Sequence, residues 1–357
     1  MNVARAGGMT AIAALAVTRV LAQSEPVPVP VPQQDSAWFD PDGTAHITRV
    51  VPMPRTISPE AQQWIASLAS NQPGHETLEE RRARTDAWRA RDSAEALKHY
   101  PVAITETEIA GVKTDLISPL QMPAANRHRV FINLHGGGFN SDSGSRIEAD
   151  PIANLAKTQV VSIYYRLAPE HPFPAAVDDV VAVYTKLLKR YKPRSIGMYG
   201  TSAGAVLTCE VVVKLKQIGL PLPGALGIFS GGGDFSRVSD SRQLFANDGF
   251  PGNLKPTDVN HLPEDAYVGG TDRRNPLLSP LYADLRGLPP TLLVSATRDA
   301  SLGDTATLQR ALMHAGVDAR LVVFEALPHA FWYHFEFPET HEALALMAQF
   351  LDQKVAH

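Results

Sequence analysis

From residue 101 onward the chain repeats one pattern. A short run of apolar and β-branched residues is followed by a polar turn, then by a stretch whose apolar residues recur at helical spacing. The apolar runs are Val102 to Ile104, Val112 to Ile117, Arg129 to Leu134, Gln159 to Tyr165, Ser195 to Tyr199, Ala225 to Phe229, Thr291 to Ala296 and Ala319 to Phe324. Between and after them, Ala176 to Tyr191, Ala203 to Gln217, Leu308 to Ala315 and Glu342 to Leu351 read as helices. In the first of these, Val177, Val180, Val181, Tyr184 and Leu187 share one face. Near-continuous apolar strands are those buried on both sides, and strands alternating with helices predict a mostly parallel sheet covered by helices. The fold class is therefore α/β, and 44% apolar residues are enough to fill its core.

The rest of the chain narrows the options. Cys209 is the sole cysteine, which excludes an intrachain disulfide and a multi-cysteine zinc site. Lys and Arg number 33 against 37 Asp and Glu, so the balance of −4 does not suggest nucleic acid as a partner. Residues 1–22 have the form of a signal peptide: Arg5, an apolar run from Met9 to Val17, and Val20-Leu21-Ala22 before Gln23. Thr18 and Arg19 interrupt that run, which is shorter than the ~20 residues of a membrane span. The expectation is a secreted or periplasmic protein with no membrane span, the alternative being an Ala-rich leader that stays in the cytoplasm. Alternating prolines from Pro26 to Pro32 make 23–35 an extended linker. Residues 57–99 look helical, starting at Ser58-Pro59-Glu60. The arginines between Arg81 and Lys98 are mixed with acids and read as a solvated face. Residues 235–285 are polar, rich in Gly, Pro, Asn and Asp, and break the strand–helix rhythm. Together with 36–99 they read as a cap over a catalytic domain formed by 100–234 and 286–357.

Gly200-Thr201-Ser202-Ala203-Gly204 sits between a predicted strand and a predicted helix. In that context G-x-S-x-G is a sharp turn that exposes a serine nucleophile. His135-Gly136-Gly137-Gly138-Phe139 follows another strand, and its glycine N–H groups suit a developing oxyanion. The Ala203 N–H, just after the nucleophile, adds a donor. Neither a Lys-Ser/Thr pair nor G-x-G-x-x-G accompanies these glycines, so a phosphate cradle fails. His135 reads as a loop anchor, without the neighbours of a metal site. A serine hydroxyl needs a base oriented by a carboxylate, in the chain order Ser, Asp/Glu, His. After Ser202 the histidines are 261, 314, 329, 334, 341 and 357. His329 is the best placed, just beyond the last strand, and His334 is its competitor. Asp299 ends a strand and is the expected acid, ahead of Asp304 and Glu325. Phe139 and Phe331 flank the motifs and are candidates to line an acyl pocket, with core packing as the alternative.

These motifs together resemble the hormone-sensitive-lipase-like family of α/β-hydrolases, which includes bacterial carboxylesterases. The likeness lies in HGGGF at 135–139, YRLAPEHPFPA at 165–175, GTSAG at 200–204, SATRDASLGDT at 295–305 and LPHAFW at 327–332. It implies an α/β-hydrolase fold with a mostly parallel eight-stranded sheet and a helical cap. It also implies a triad of Ser202, Asp299 and His329, oxyanion donors Gly136, Gly137 and Ala203, and a bracing role for Arg166 and Glu170. No metal or other cofactor is implied, and a homodimer is among the expected assemblies. Ala205 and Ala330 stand where the family commonly has glycine, and Asp304 is five residues after Asp299 where other members have four.

The expected activity is hydrolysis of short- to medium-chain acyl esters through an acyl-enzyme, with a small-molecule ester and water as the substrates. A ligand receptor on the same fold would have lost a triad member. An amidase or deacetylase would use the same triad. A lipase would need a larger apolar lid than 235–285 provides.

Overall fold

The computed structural model describes residues 35–68, 76–142, 144, 146–250, 258 and 264–356. The leader at 1–22, most of the 23–35 linker, His261 and His357 lie outside the described residues. The chain divides into two compact units, Met1–Met53 and Pro54–His357. The boundary falls inside 36–99, the segment read from sequence as one cap piece. In the first unit, β1 (Ser36–Phe39) and β2 (Ala45–Thr48) pair antiparallel. Trp38 stacks on His46 with ring centroids 4.8 Å apart.

The second unit begins with α1 (Pro59–Ser67) and α2 (Leu78–His99). Ser58 caps α1 by accepting from the Ala61 N–H at 3.2 Å, with Pro59 in the first turn. Thr77 and Glu80 form a reciprocal capping box at the start of α2. Then follow β3 (Val102–Ile109), β4 (Val112–Pro119), β5 (Val130–Leu134), α3 (Ala149–Ala156), β6 (Val160–Ile163), α4 (Ala175–Leu187), β7 (Ile196–Thr201), α5 (Ala203–Gln217) and β8 (Ala225–Phe229). The chain continues through α6 (Asp240–Leu244), α7 (Asp265–Val268), β9 (Thr291–Ala296), α8 (Leu302–His314), β10 (Ala319–Phe324) and α9 (Pro338–Lys354).

The sheet has eight strands in the order β10-β9-β8-β7-β5-β6-β4-β3. Strands β5 to β10 run parallel, while β4 is antiparallel to both β6 and β3. Strands β5, β7, β8 and β9 are buried at every residue, as their continuous apolar runs require. Alternation sorts their side chains between two cores. Val130, Ile132, Leu134 and Met198 join α4, α5 and α8 on one face. Phe131, Tyr199, Phe229 and Val294 join α3 and α9 on the other. Because β5, β7, β8, β9 and β10 are neighbours and parallel, the loops that follow them leave one edge of the sheet. That edge is where ligands meet open α/β sheets.

Candidate active site

The turn after β7 is tight because the backbone leaves no alternative. Ser202 adopts φ 57° and ψ −118°, and its N–H donates to Phe229 O at 2.9 Å. A side-chain carbon on Gly204 would lie 1.9 Å from Leu134 O, and one on Gly200 would lie 2.4 Å from Gly204. Both motif glycines are therefore set by close approach of main chains. Ala205, where the family commonly has glycine, is matched by Gly231. A side-chain carbon there would lie 2.5 Å from Ala205 Cβ.

The loop after β5 folds over this turn. A Cβ on Gly136 would sit 3.4 Å from Ser202 Cβ. Gly137 has φ 101°, with Ser141 O only 2.2 Å from its would-be Cβ. The Ala203 N–H belongs to the first turn of α5, where no intrahelical acceptor exists. His135 is buried and stacked on Tyr165 with ring centroids 4.2 Å apart, and Tyr165 Oη donates to His135 O at 2.7 Å. It thus braces the loop, as the sequence suggests. Arg89 of α2 reinforces the same region. It is buried between the rings of Trp88 and Tyr333, with Nε 3.1 Å from Asp142 Oδ2.

The acid and base segments meet at the same edge. His329 Nδ1 and Asp299 Oδ1 are 2.8 Å apart. Asp299 also accepts from Ser230 Oγ at 2.5 Å, Ser295 Oγ at 2.7 Å and the Ser301 N–H at 2.8 Å. Burial opposes its charge, but His329 and the two hydroxyls outweigh that penalty and hold the carboxyl below its ordinary range. Asp304, the runner-up, lies in the first turn of α8, its Cβ 2.4 Å from a would-be Cβ on Gly232. Burial pushes its pKa up to about 6, with Arg242 opposing. Glu325 is exposed. His334 sits against Phe337 and Trp64, 3.6 Å from Glu336 Oε1. His341 Nδ1 lies 2.6 Å from Tyr100 Oη, and His314 is exposed at the end of α8.

Ser202, Ala203 and His329 line one cavity of about 550 Å³. It is also lined by Trp64 of α1, by Arg81, Arg84 and Trp88 of α2, and by Phe235, Arg242 and Glu264. Phe139 lines it too, and its ring also stacks on Tyr267 at 3.6 Å. Phe331 does not line it; that ring is buried in the core against Phe324 and Trp332. Arg166 and Glu170 hold other partners rather than each other. Arg166 Nε donates to Asp179, and Glu170 receives the fork of Arg82, which also donates to Asn140 O and Ala168 O. Arg82 thereby pins α2 to the loop of Gly136–Gly138. Arg82 and Arg89 of α2 are thus bracing groups and Arg81 a half-buried cavity group, while Arg84 and Arg91 remain on the solvated face that their mixture with acids suggests.

Ser230 and Ser295 were not among the sequence candidates. The signal for Ser230 is Ser230-Gly231-Gly232-Gly233 directly after an apolar run on the catalytic edge. Among the described residues no group of three His, Cys, Asp or Glu side chains converges as a metal set.

A family model described as the α/β-hydrolase fold matches residues 131–333. An acetyl-hydrolase from Streptomyces hygroscopicus is 33% identical over 242 residues, covering 64% of this chain and 77% of that protein. An esterase from Acinetobacter venetianus is 30% identical over 264 residues, covering 70% of this chain and 82% of that protein. A solved esterase from the bacterial hormone-sensitive lipase family has 32% identity and a TM-score of 0.73, over 84% of this chain and 99% of that one.

Proposed function

The chain belongs to the α/β-hydrolase fold family, in its hormone-sensitive-lipase-like branch, and from that premise we propose that it is a serine carboxylesterase acting on short- to medium-chain acyl esters. One observation carries the reading. His329 is held by a buried, fully hydrogen-bonded Asp299 at the cavity that Ser202 enters from a strained turn. Asp299 accepts the His329 Nδ1–H, which leaves Nε2 as the base. His329 takes the Ser202 proton as Oγ attacks the ester carbonyl. The N–H groups of Gly136, Gly137 and Ala203 hold the oxyanion, each worth about 3 kcal/mol. The alcohol leaves with the proton from His329. Water, deprotonated by the same imidazole, attacks the acyl-enzyme and releases the acid and free Ser202.

Within the second unit, the helices of 54–99 and the segment 235–285 act as the cap. The charged lining they supply favours short, partly polar esters over lipid. The leader at 1–22 directs export in this reading. Among the described residues no helix is long and apolar enough to cross a membrane.

Hydrolysis of p-nitrophenyl esters from acetate to palmitate tests the proposal, with Ser202→Ala alongside. The expected profile peaks at short acyl chains and collapses in the variant. A peak at long chains would move the assignment to a lipase. A folded wild-type protein inert on every ester would overturn it.

A further inference from the structure

The cavity that Ser202 lines carries charges of both signs. α2 supplies Arg81, Arg84 and Arg89, and Asp234, Asp248, Glu264, Asp304 and Arg242 also line it. Most of the cations are matched in place. Arg84 forks onto Glu76 at 2.9 and 2.7 Å. Arg89 pairs with Asp142, and Arg242 donates to Glu264 Oε1 at 2.6 Å.

Arg81 differs from the other three. Its backbone N–H donates to Thr77 O at 3.0 Å, but among the described residues its guanidinium has neither a hydrogen-bonded acceptor nor an ion-pair partner within reach. Its field reaches Glu76, yet that carboxylate is already taken by the fork of Arg84. The side chain is half-buried and faces the cavity. Its Nη2 lies 3.6 Å from the position of a side-chain carbon on Gly138. Gly138 is two residues from Gly136, which abuts Ser202. Arg81 and Ser202 line the same cavity, so an ester held at Ser202 shares that space with the guanidinium. A guanidinium with five donors, partly withdrawn from water and unmatched by protein, fits a planar carboxylate bidentately.

We infer that Arg81 is a substrate-binding residue that receives a carboxylate carried on the ester, so that acidic esters are preferred to neutral ones of similar length. The inference rests on the esterase reading. The carboxylates that also line the cavity repel an anionic group and leave the unmatched guanidinium as its favoured place.

Two substrate pairs test it and distinguish the two ends of the ester. 4-Nitrophenyl hydrogen adipate against 4-nitrophenyl heptanoate places the charge on the acyl side. 4-Acetoxybenzoate against its methyl ester places it on the leaving side. kcat/KM is measured for each ester with wild type, Arg81→Met and Arg81→Lys, at low and high salt. In one pair the anionic-to-neutral ratio falls about tenfold or more in Arg81→Met, mainly through KM, with Arg81→Lys intermediate. The wild-type ratio also falls with salt. Ratios equal in wild type and Arg81→Met for both pairs would overturn the assignment of Arg81 while leaving the esterase reading intact. A wild-type protein that cleaves none of the four esters would overturn both.

Discussion

Asp299 lies buried behind His329, while Asp304 lines the cavity that His329 enters, and the two show how differently its floor and its walls are built. On the floor, Asp299 is buried yet surrounded by donors: His329, Ser230, Ser295 and the Ser301 N–H. Its carboxyl is held below the ordinary range despite burial. In the wall, burial dominates at Asp304 and raises its pKa to about 6. The floor is main-chain geometry with every charge compensated. The walls are side chains from distant segments, with charges only partly matched. In the proposed mechanism the floor carries the chemistry, and the walls are free to choose the substrate.

The largest expected effect strikes the floor. Ser202→Ala lowers kcat by roughly 10⁴- to 10⁶-fold on any ester, a loss that no wall substitution approaches. Residual activity within tenfold of wild type would erase the distinction. Next, Asp299→Asn leaves the fold in place but lowers kcat by roughly 10³- to 10⁴-fold, because the neutral amide holds the wrong imidazole tautomer and does not stabilise the imidazolium. Asp304→Asn should leave kcat within a few-fold of wild type, and comparing these two variants sharpens the contrast directly.

The same pair gives opposite pH signatures in stability. Asp299, with its folded pKa depressed, contributes stability that is present above the unfolded carboxylate pKa and is lost as pH falls through the folded value. Asp304, with its folded pKa raised to about 6, costs nothing below pH ~4, and its penalty is complete above about 6. Denaturant midpoints at acidic and alkaline pH check this. Asp304→Asn matches wild type at pH ~4 and gains about 1–3 kcal/mol at pH ~8. A gain that is the same at both pH values would contradict the burial account.

The smallest effect concerns the residue after the base. Ala330 adopts φ 53° and ψ 39°, a left-handed conformation that glycine enters without strain. Ala330→Gly should raise stability by about 1 kcal/mol or less, since relief of that strain is offset by a more flexible unfolded chain. A calorimetric melt checks the sign.

The floor was legible in the sequence because its chemistry depends on consecutive residues. A strand, a glycine turn and a helix are written in order, and Gly204 can be no other residue where Leu134 O lies 1.9 Å from its would-be side chain. Strands β8, β9 and β10 also begin and end where their apolar runs do. The walls were not legible in the same way. Arg81, Arg84 and Arg89 alternate with acids in a pattern that looks identical whether a helix faces water or a charged cavity. Glu76 and Asp142, the partners of Arg84 and Arg89, have no common sequence spacing. Helix α3 escaped the periodicity reading because it is short and buried on most sides, Asp150 included. The β1–β2 hairpin escaped because four-residue strands carry little pattern. Phe331 shows the limit of proximity in sequence: it is two residues from His329, yet its ring turns into the core.

The central claim is that Ser202 is the nucleophile of this floor. Incubation with a diethyl aryl phosphate, followed by intact-mass analysis and peptide mapping, tests it most directly. The expected product is one diethyl phosphate per chain, carried on Ser202, with activity lost in step and no adduct on Ser202→Ala. Labelling at another residue, or esterase activity that survives full modification of Ser202, would contradict it.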